Sequence, residues 1–158
     1  MSIHATAKSK VYIGTNDRAS DLTEYAADNW TEIKETEDLG EWGAQAEELA
    51  FSNVGDSHVR RLKGVIDSGT MELICARDPM DPGQNKARAA VSDELPYNFK
   101  VVLADKPTAN GTPTTFYFSA IVLSARNNLG QGNNIVRTTF TVGIDGQIFE
   151  IPAAAVAA

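Results

Sequence analysis

Cysteine occurs once in this sequence, at Cys75, and histidine twice, at His4 and His58. A single thiol excludes an internal disulfide, and a lone cysteine in an apolar run reads as a small buried hydrophobe. A zinc site needs three or four Cys, His or carboxylate ligands at suitable spacing, which this scarcity makes improbable. Nucleophilic catalysis by a Ser or Cys triad needs a histidine base. Only His58 falls inside the expected domain, beside Val59-Arg60-Arg61, where it reads as a solvated loop histidine. The longest uninterrupted apolar run, residues 153–158, is far short of the ~20 residues that cross a membrane as a helix.

Phosphate-binding glycine patterns are missing as well. There is no GxxxxGK[ST] and no GxGxxG between a strand and a helix; Gly130-Gln131-Gly132 lies between two expected strands and reads as a hairpin loop. Carboxylates do occur side by side, at Glu37-Asp38 and Glu47-Glu48. Neighbours in an extended strand point to opposite faces, so these pairs read as surface charge rather than as a shared acid/base site. No cofactor is expected, and the chain is expected not to be an enzyme. MSIHATAKSK runs straight into VYIGT without an apolar signal region, so synthesis and folding in a cytoplasm are expected.

What the sequence has in excess is acid, and it is local. Residues 1–58 hold twelve acids and four bases (4 − 12 = −8); residues 59–158 hold nine acids and ten bases (10 − 9 = +1), which sums to the net −7. Affinity for DNA comes largely from Lys and Arg neutralising phosphates, so this sign argues against DNA binding. It suits a surface past which DNA slides. The small basic cluster Arg60, Arg61 and Lys63 is expected to pair with acids of residues 32–48 in the same or a neighbouring subunit.

Hydrophobic periodicity predicts a mainly β (α+β) fold in a single domain over residues 11–152, with an arm at 1–10 and a flexible tail at 153–158. A short strand is expected at 11–15. Ser20-Asp21 could cap a short helix up to Ala27, a structured loop being nearly equivalent. Residues 30–39 alternate like one half-exposed strand, and residues 41–58 read as a long inter-strand loop anchored by Trp42, Leu49 and Phe51. A hairpin is expected from residues 59–67, a Ser68-Gly69 turn and residues 70–76, with Leu62, Gly64 and Ile66 on one face and Met71, Leu73 and Cys75 on the other arm's face. Asp81-Pro82-Gly83-Gln84 reads as a capped helix start, the helix running over about residues 82–93 with Ala87, Ala90, Val91 and Leu95 as its stripe. Strands follow at 97–104, 114–125 and 134–144, and an Asp145-Gly146 turn leads to a last arm at 147–151.

The segments WTEIKETEDLGEWG, RRLKGVIDSGTMELI, DPGQNKARAAVSD and TFYFSAIVLSARNNLGQGNNIVRTTFTVGIDG, in this order, resemble the major tail tube proteins of siphophages over residues 10–152. The resemblance implies a β-sandwich or barrel-type subunit with one short flanking helix. It further implies that six subunits form a ring, that strands of all six build one barrel around a lumen, and that rings stack into a tube. Genomic DNA and the tape measure protein would pass through the lumen without specific binding, and tail terminator and tip proteins would bind the tube ends. The location implied is the virion tail, assembled in the host cytoplasm. Trp42, Leu49, Phe51, Arg60, Arg61 and Lys63 are then the candidates for contacts between subunits or rings. Glu32, Glu35, Glu37, Asp67 and Glu72 are the acidic candidates for the lumen wall. Two other readings stay open: a ring-forming tube subunit of a secretion or contractile apparatus, and a small β-barrel that binds a ligand or catalyses a reaction in a pocket.

Overall fold

The computed structural model describes residues 3–155. Nine strands and two helices follow in the order β1 (Lys10–Ile13), α1 (Leu22–Ala27), β2 (Thr31–Ile33), β3 (Thr36–Asp38), β4 (Gln45–Ser52), β5 (Val59–Asp67), β6 (Thr70–Ala76), α2 (Pro82–Ala90), β7 (Tyr97–Val102), β8 (Thr115–Asn128) and β9 (Arg137–Ile151). Seven strands form one antiparallel sheet in the order β2-β1-β7-β8-β9-β6-β3, and β4 and β5 form a second sheet of two.

The sheet rolls up because its two edge strands are consecutive in the chain. Only Lys34 and Glu35 separate β2 from β3. Glu35 takes a left-handed φ of 59°, and its carbonyl accepts from the Ala76 backbone N–H at 2.9 Å. Gln84 of α2 closes the seam: its buried amide donates to the carbonyls of Lys34 (2.9 Å) and Ala76 (3.0 Å). One core results, with Val11, Ile13 and Ile33 from one side of the roll meeting Met71, Leu73 and Cys75 from the other around Phe99, Phe118 and Phe140. Each such side chain contributes about 1.5–3 kcal/mol when fully buried. Burial pushes the Cys75 thiol up to about 12, so it is an inert hydrophobe as the sequence suggested.

Several sequence expectations are corrected here. Residues 30–39 form two strands on opposite edges of the sheet, not one. Of the two alternatives for residues 20–27 the helix forms, Asp21 capping α1 by accepting from the Glu24 N–H at 2.9 Å, so two helices flank the sheet where the resemblance implied one. Asp81 caps α2 as expected, accepting from Gln84 N–H at 3.2 Å, but the box is not reciprocal, because Gln84 Oε1 accepts from Asp78 N–H. That helix ends at Ala90, and Val91 and Leu95 are exposed.

The expected hairpin of 59–67 with 70–76 does not form. Gly69 (φ 86°) gives its carbonyl to Ile144 N–H at 3.0 Å, which sets β6 beside β9 and pairs Met71 with Val142 and Leu73 with Phe140. With Arg60, Arg61 and Lys63 in β5, that strand cannot enter the core and pairs with β4 outside it. Residues 41–58, expected as a loop, thus contain β4. The Asp145-Gly146 turn is absent too. β9 runs on to Ile151 against the equally long β8, and the surplus residues form a bulge, Tyr117 opposing Phe149 while Ser119 opposes Asp145. Gly146 (φ 89°) sits in that bulge, and its carbonyl accepts from the Ser68 hydroxyl at 2.6 Å. Of the expected flexible tail, Ala154 bridges to Thr112, and residues 156–158 lie outside the described residues, as do residues 1–2 of the arm.

Helix α1 covers the outer face of the sheet, stacking Tyr25 on Tyr117 at 5.5 Å beside Ala19. Beneath it, buried Asn98 accepts from Ala19 N–H and the Ser119 hydroxyl and donates to the Asp17 carbonyl and to Asp28 at 2.7 Å. Asp28 also accepts from the N–H and hydroxyl of Thr15 and from Asn29 N–H. Partial desolvation raises its pKa, but these hydrogen bonds outweigh it and the net shift is downward from 3.8. A depressed carboxylate contributes stability that is fully present above its unfolded pKa and lost as pH falls through the folded one. Thermal melts are therefore expected to lose stability from about pH 4 downward. In Asp28→Asn that slope should flatten; an unchanged slope would place the acid sensitivity elsewhere.

Candidate assembly interface

β4 and β5 leave the barrel as a hairpin, and the register decides what each face carries. Cross-strand partners share a face. Leu49 opposes Leu62, and Phe51 opposes Arg60. The other face pairs Ala46 with Ile66, across a bulge in β5, Glu48 with Lys63, Ala50 with Arg61 and Ser52 with Val59. The first face thus carries an apolar cluster beside Arg60, and none of the protein's own elements covers it: Leu49 is 48%, Phe51 64% and Leu62 71% exposed. Gly64 lies on this face with space taken by Glu47 and Leu49, so the two strands approach closely there.

Two of the three basic candidates find acids within the same hairpin. Arg61 bonds Glu48 at 2.5 Å, and Arg60 bonds Asp56 at 3.0 Å. Both pairs are solvent-exposed and worth at most ~1 kcal/mol, so they orient the arm more than they stabilise it. The backbone matters more. Among the described residues no other strand pairs with β4 or β5, which leaves a row of free N–H and C=O groups along each outer edge. A lone two-stranded hairpin is marginal in water, and free edges recruit further strands.

Trp42 has a different place from its fellow candidates. Its ring packs edge-on against Phe116 at 5.1 Å and near Phe118 at 5.4 Å, inside the protein's own barrel end. There it lines an open cleft of about 600 Å³ with Leu39, Val101, Leu103 and Ile148, rimmed by Asp38, Glu41 and Glu150. Among the described residues no three His, Cys, Asp or Glu side chains gather as a metal site, and no helix is long and apolar enough to cross a membrane.

The five acidic candidates are dispersed. Glu37 on β3 is gripped by Arg137 of β9, two strands away, and the Arg137 hydrogen bonds hold its carboxyl below the usual range. Glu72 projects from β6, opposite Thr141. Asp67 ends β5 and accepts from Gly69 N–H at 2.9 Å. Glu32 lies at the opposite edge, beside Tyr12, and Glu35 sits in the crossover. Leu62, expected to share one face of a hairpin with Gly64 and Ile66, joins Leu49 and Phe51, while the bulge in β5 turns Ile66 to the other face. Alternation carried the signal for Leu62, but it does not say whether the covering surface belongs to the same chain.

No family model and no curated protein matches the sequence. Solved structures do match. A subunit of the anti-feeding prophage baseplate superposes with a TM-score of 0.72 at 15% identity, covering 96% of this chain and 98% of that one. The SPP1 tail tube gives 0.63 at 15% identity over 90% and 75% of the two chains. The sheath/tube terminator of the PVC extracellular contractile injection system gives 0.66 at 12% identity over 94% and 96%. The chain therefore has the mainly β fold found in components of phage tail tubes and of contractile injection systems.

Proposed function

We propose that this protein is the structural subunit of a bacteriophage tail tube, forming hexameric rings that stack around a DNA-conducting lumen. The observation that carries the reading is the β4–β5 hairpin, a two-stranded sheet with both edges free and an apolar face that a neighbouring subunit would cover. Joining subunits edge to edge removes the exposed edges and buries that face in one step. The chain has no catalytic role in this reading. Phage DNA and the tape measure protein occupy the lumen, and terminator and tip proteins close the tube, which belongs to the virion tail and is assembled in the host cytoplasm. The acids Glu37, Glu72 and Asp67, on or beside the β3–β6 side, are the proposed lumen wall; Glu32 and Glu35 lie apart from them. A second reading, a tube component of a contractile injection system, is favoured by the fuller overlap with the baseplate subunit.

Negative-stain electron microscopy of the purified protein at rising concentration tests the proposal. Hollow rings or tubes are the expected result. A compact monomer at every concentration would remove both tube readings.

A further inference from the structure

Of the seven lysines in the sequence, four meet at one place in the fold. Lys8, Lys10 and Lys106 line a surface groove of about 510 Å³ together with Tyr12 and Pro113. Lys100 lies opposite Tyr12 in the β1–β7 register, its Nζ 4.4 Å from the Tyr12 ring centroid and 5.1 Å from that of Trp30. Among the described residues none of the four ammonium groups forms an ion pair. The acids nearby are otherwise engaged or offset: Asp105 accepts from the N–H and hydroxyl of Thr114, Glu37 is held by Arg137, and Glu32 lies across Tyr12 on β2. Burial pushes the Lys100 ammonium down, as it does for a lysine that has lost water and gained no acid. In a chain of net charge −7 this is a concentrated, uncompensated positive surface beside two aromatic rings.

We infer that this groove receives the acidic segment 35–48 of a second copy of the chain. The inference rests on the ring-forming reading and names the contact that would drive it. Charge complementarity selects the occupant: ETEDLGEWGAQAEE carries six acids, of which Glu37 and Glu48 are held in their own copy by Arg137 and Arg61, while Glu41 and Glu47 are exposed without a hydrogen bond or ion pair among the described residues. The segment's own copy holds it on β3 and β4, so the contact is made between copies, groove of one to acidic arm of the next. Such a head-to-tail contact closes into a ring where its rotation permits. Nucleic acid, the other polyanion, is disfavoured by the acidic surroundings.

Two measurements test this. A synthetic peptide of residues 35–48, titrated against the full chain, is expected to bind at about 20 mM salt and at least about tenfold more weakly at about 500 mM. Lys10→Glu/Lys106→Glu, with its melting temperature checked against wild type, should lose that binding. In assembly, Lys10→Glu/Lys106→Glu and Glu41→Lys/Glu47→Lys should each fail alone and co-assemble when mixed, since the mixture restores opposite charges across the contact. The inference is overturned if the peptide does not bind, if the lysine variant binds it as wild type does, if the lysine variant assembles normally, or if a short DNA duplex binds the groove in its place. A wild-type chain that binds the peptide yet never forms rings would instead overturn the tube reading alone.

Discussion

Phe51→Ser/Leu62→Ser is expected to abolish ring and tube formation while leaving the fold intact. The two residues lie next to each other on the apolar face of the hairpin, Phe51 beside Leu49 on β4 and Leu62 opposite Leu49 on β5, and both are mostly exposed in the isolated chain. Substitutions at exposed sites usually change stability by no more than about 0.5 kcal/mol each, so the melting temperature of the double variant should stay within about 4 °C of wild type. Covered by a neighbour, the same side chains would each contribute about 1.5–3 kcal/mol at every contact around a ring. Sedimentation velocity and electron microscopy of the variant separate the two effects. Tubes forming at the wild-type concentration would show that the hairpin face is not the subunit contact.

Gly83→Val should act in the opposite way, on the fold and not on the surface. A Cβ at Gly83 would stand 2.1 Å from the Glu32 carbonyl oxygen and 2.8 Å from Ile33 Cα, both backbone atoms of β2 that no side-chain rotation can move away. Helix α2 would have to lift from the sheet, taking Gln84 away from the Lys34 and Ala76 carbonyls that it bridges. Overpacking of this kind costs about 1–3 kcal/mol, and leaving two partly buried carbonyls unpaired adds to it. A loss of at least about 3 kcal/mol, or roughly 10 °C in melting temperature, is expected from denaturant and thermal unfolding. A variant as stable as wild type would mean that α2 is not the clasp of the barrel seam.

The elements most legible in the sequence were those whose pattern and punctuation agreed. Alternating Met71, Leu73 and Cys75, the apolar β7, and the Asp81-Pro82 start of α2 each satisfy a local rule that the fold leaves intact. Asp145-Gly146 shows the limit of such rules. The dipeptide satisfies a turn on its own, but β8 extends far enough to pair with Phe149, Glu150 and Ile151 beyond it, and these ladder hydrogen bonds outweigh a local turn preference. The proposed assembly surface was half legible: Leu49, Phe51, Arg60, Arg61 and Lys63 were singled out, though as parts of a loop and of another hairpin. QAEELAFS mixes short apolar and acidic residues, so only the presence of a partner strand makes it β4.

Taken alone, the sequence determined the class of the protein: mainly β, rich in acid over its first third, and poor in Cys and His. These properties follow from composition and from side-chain alternation, which act residue by residue. Which strand lies beside which was decided only in three dimensions. The two-residue crossing at Lys34-Glu35, the pairing of β6 with β9 and the release of β5 into a separate sheet all depend on how much apolar surface each arrangement buries. The lysine groove arises in the same way, because Lys8 and Lys10 lie some ninety residues along the chain from Lys100 and Lys106 and meet them only where β1 pairs with β7.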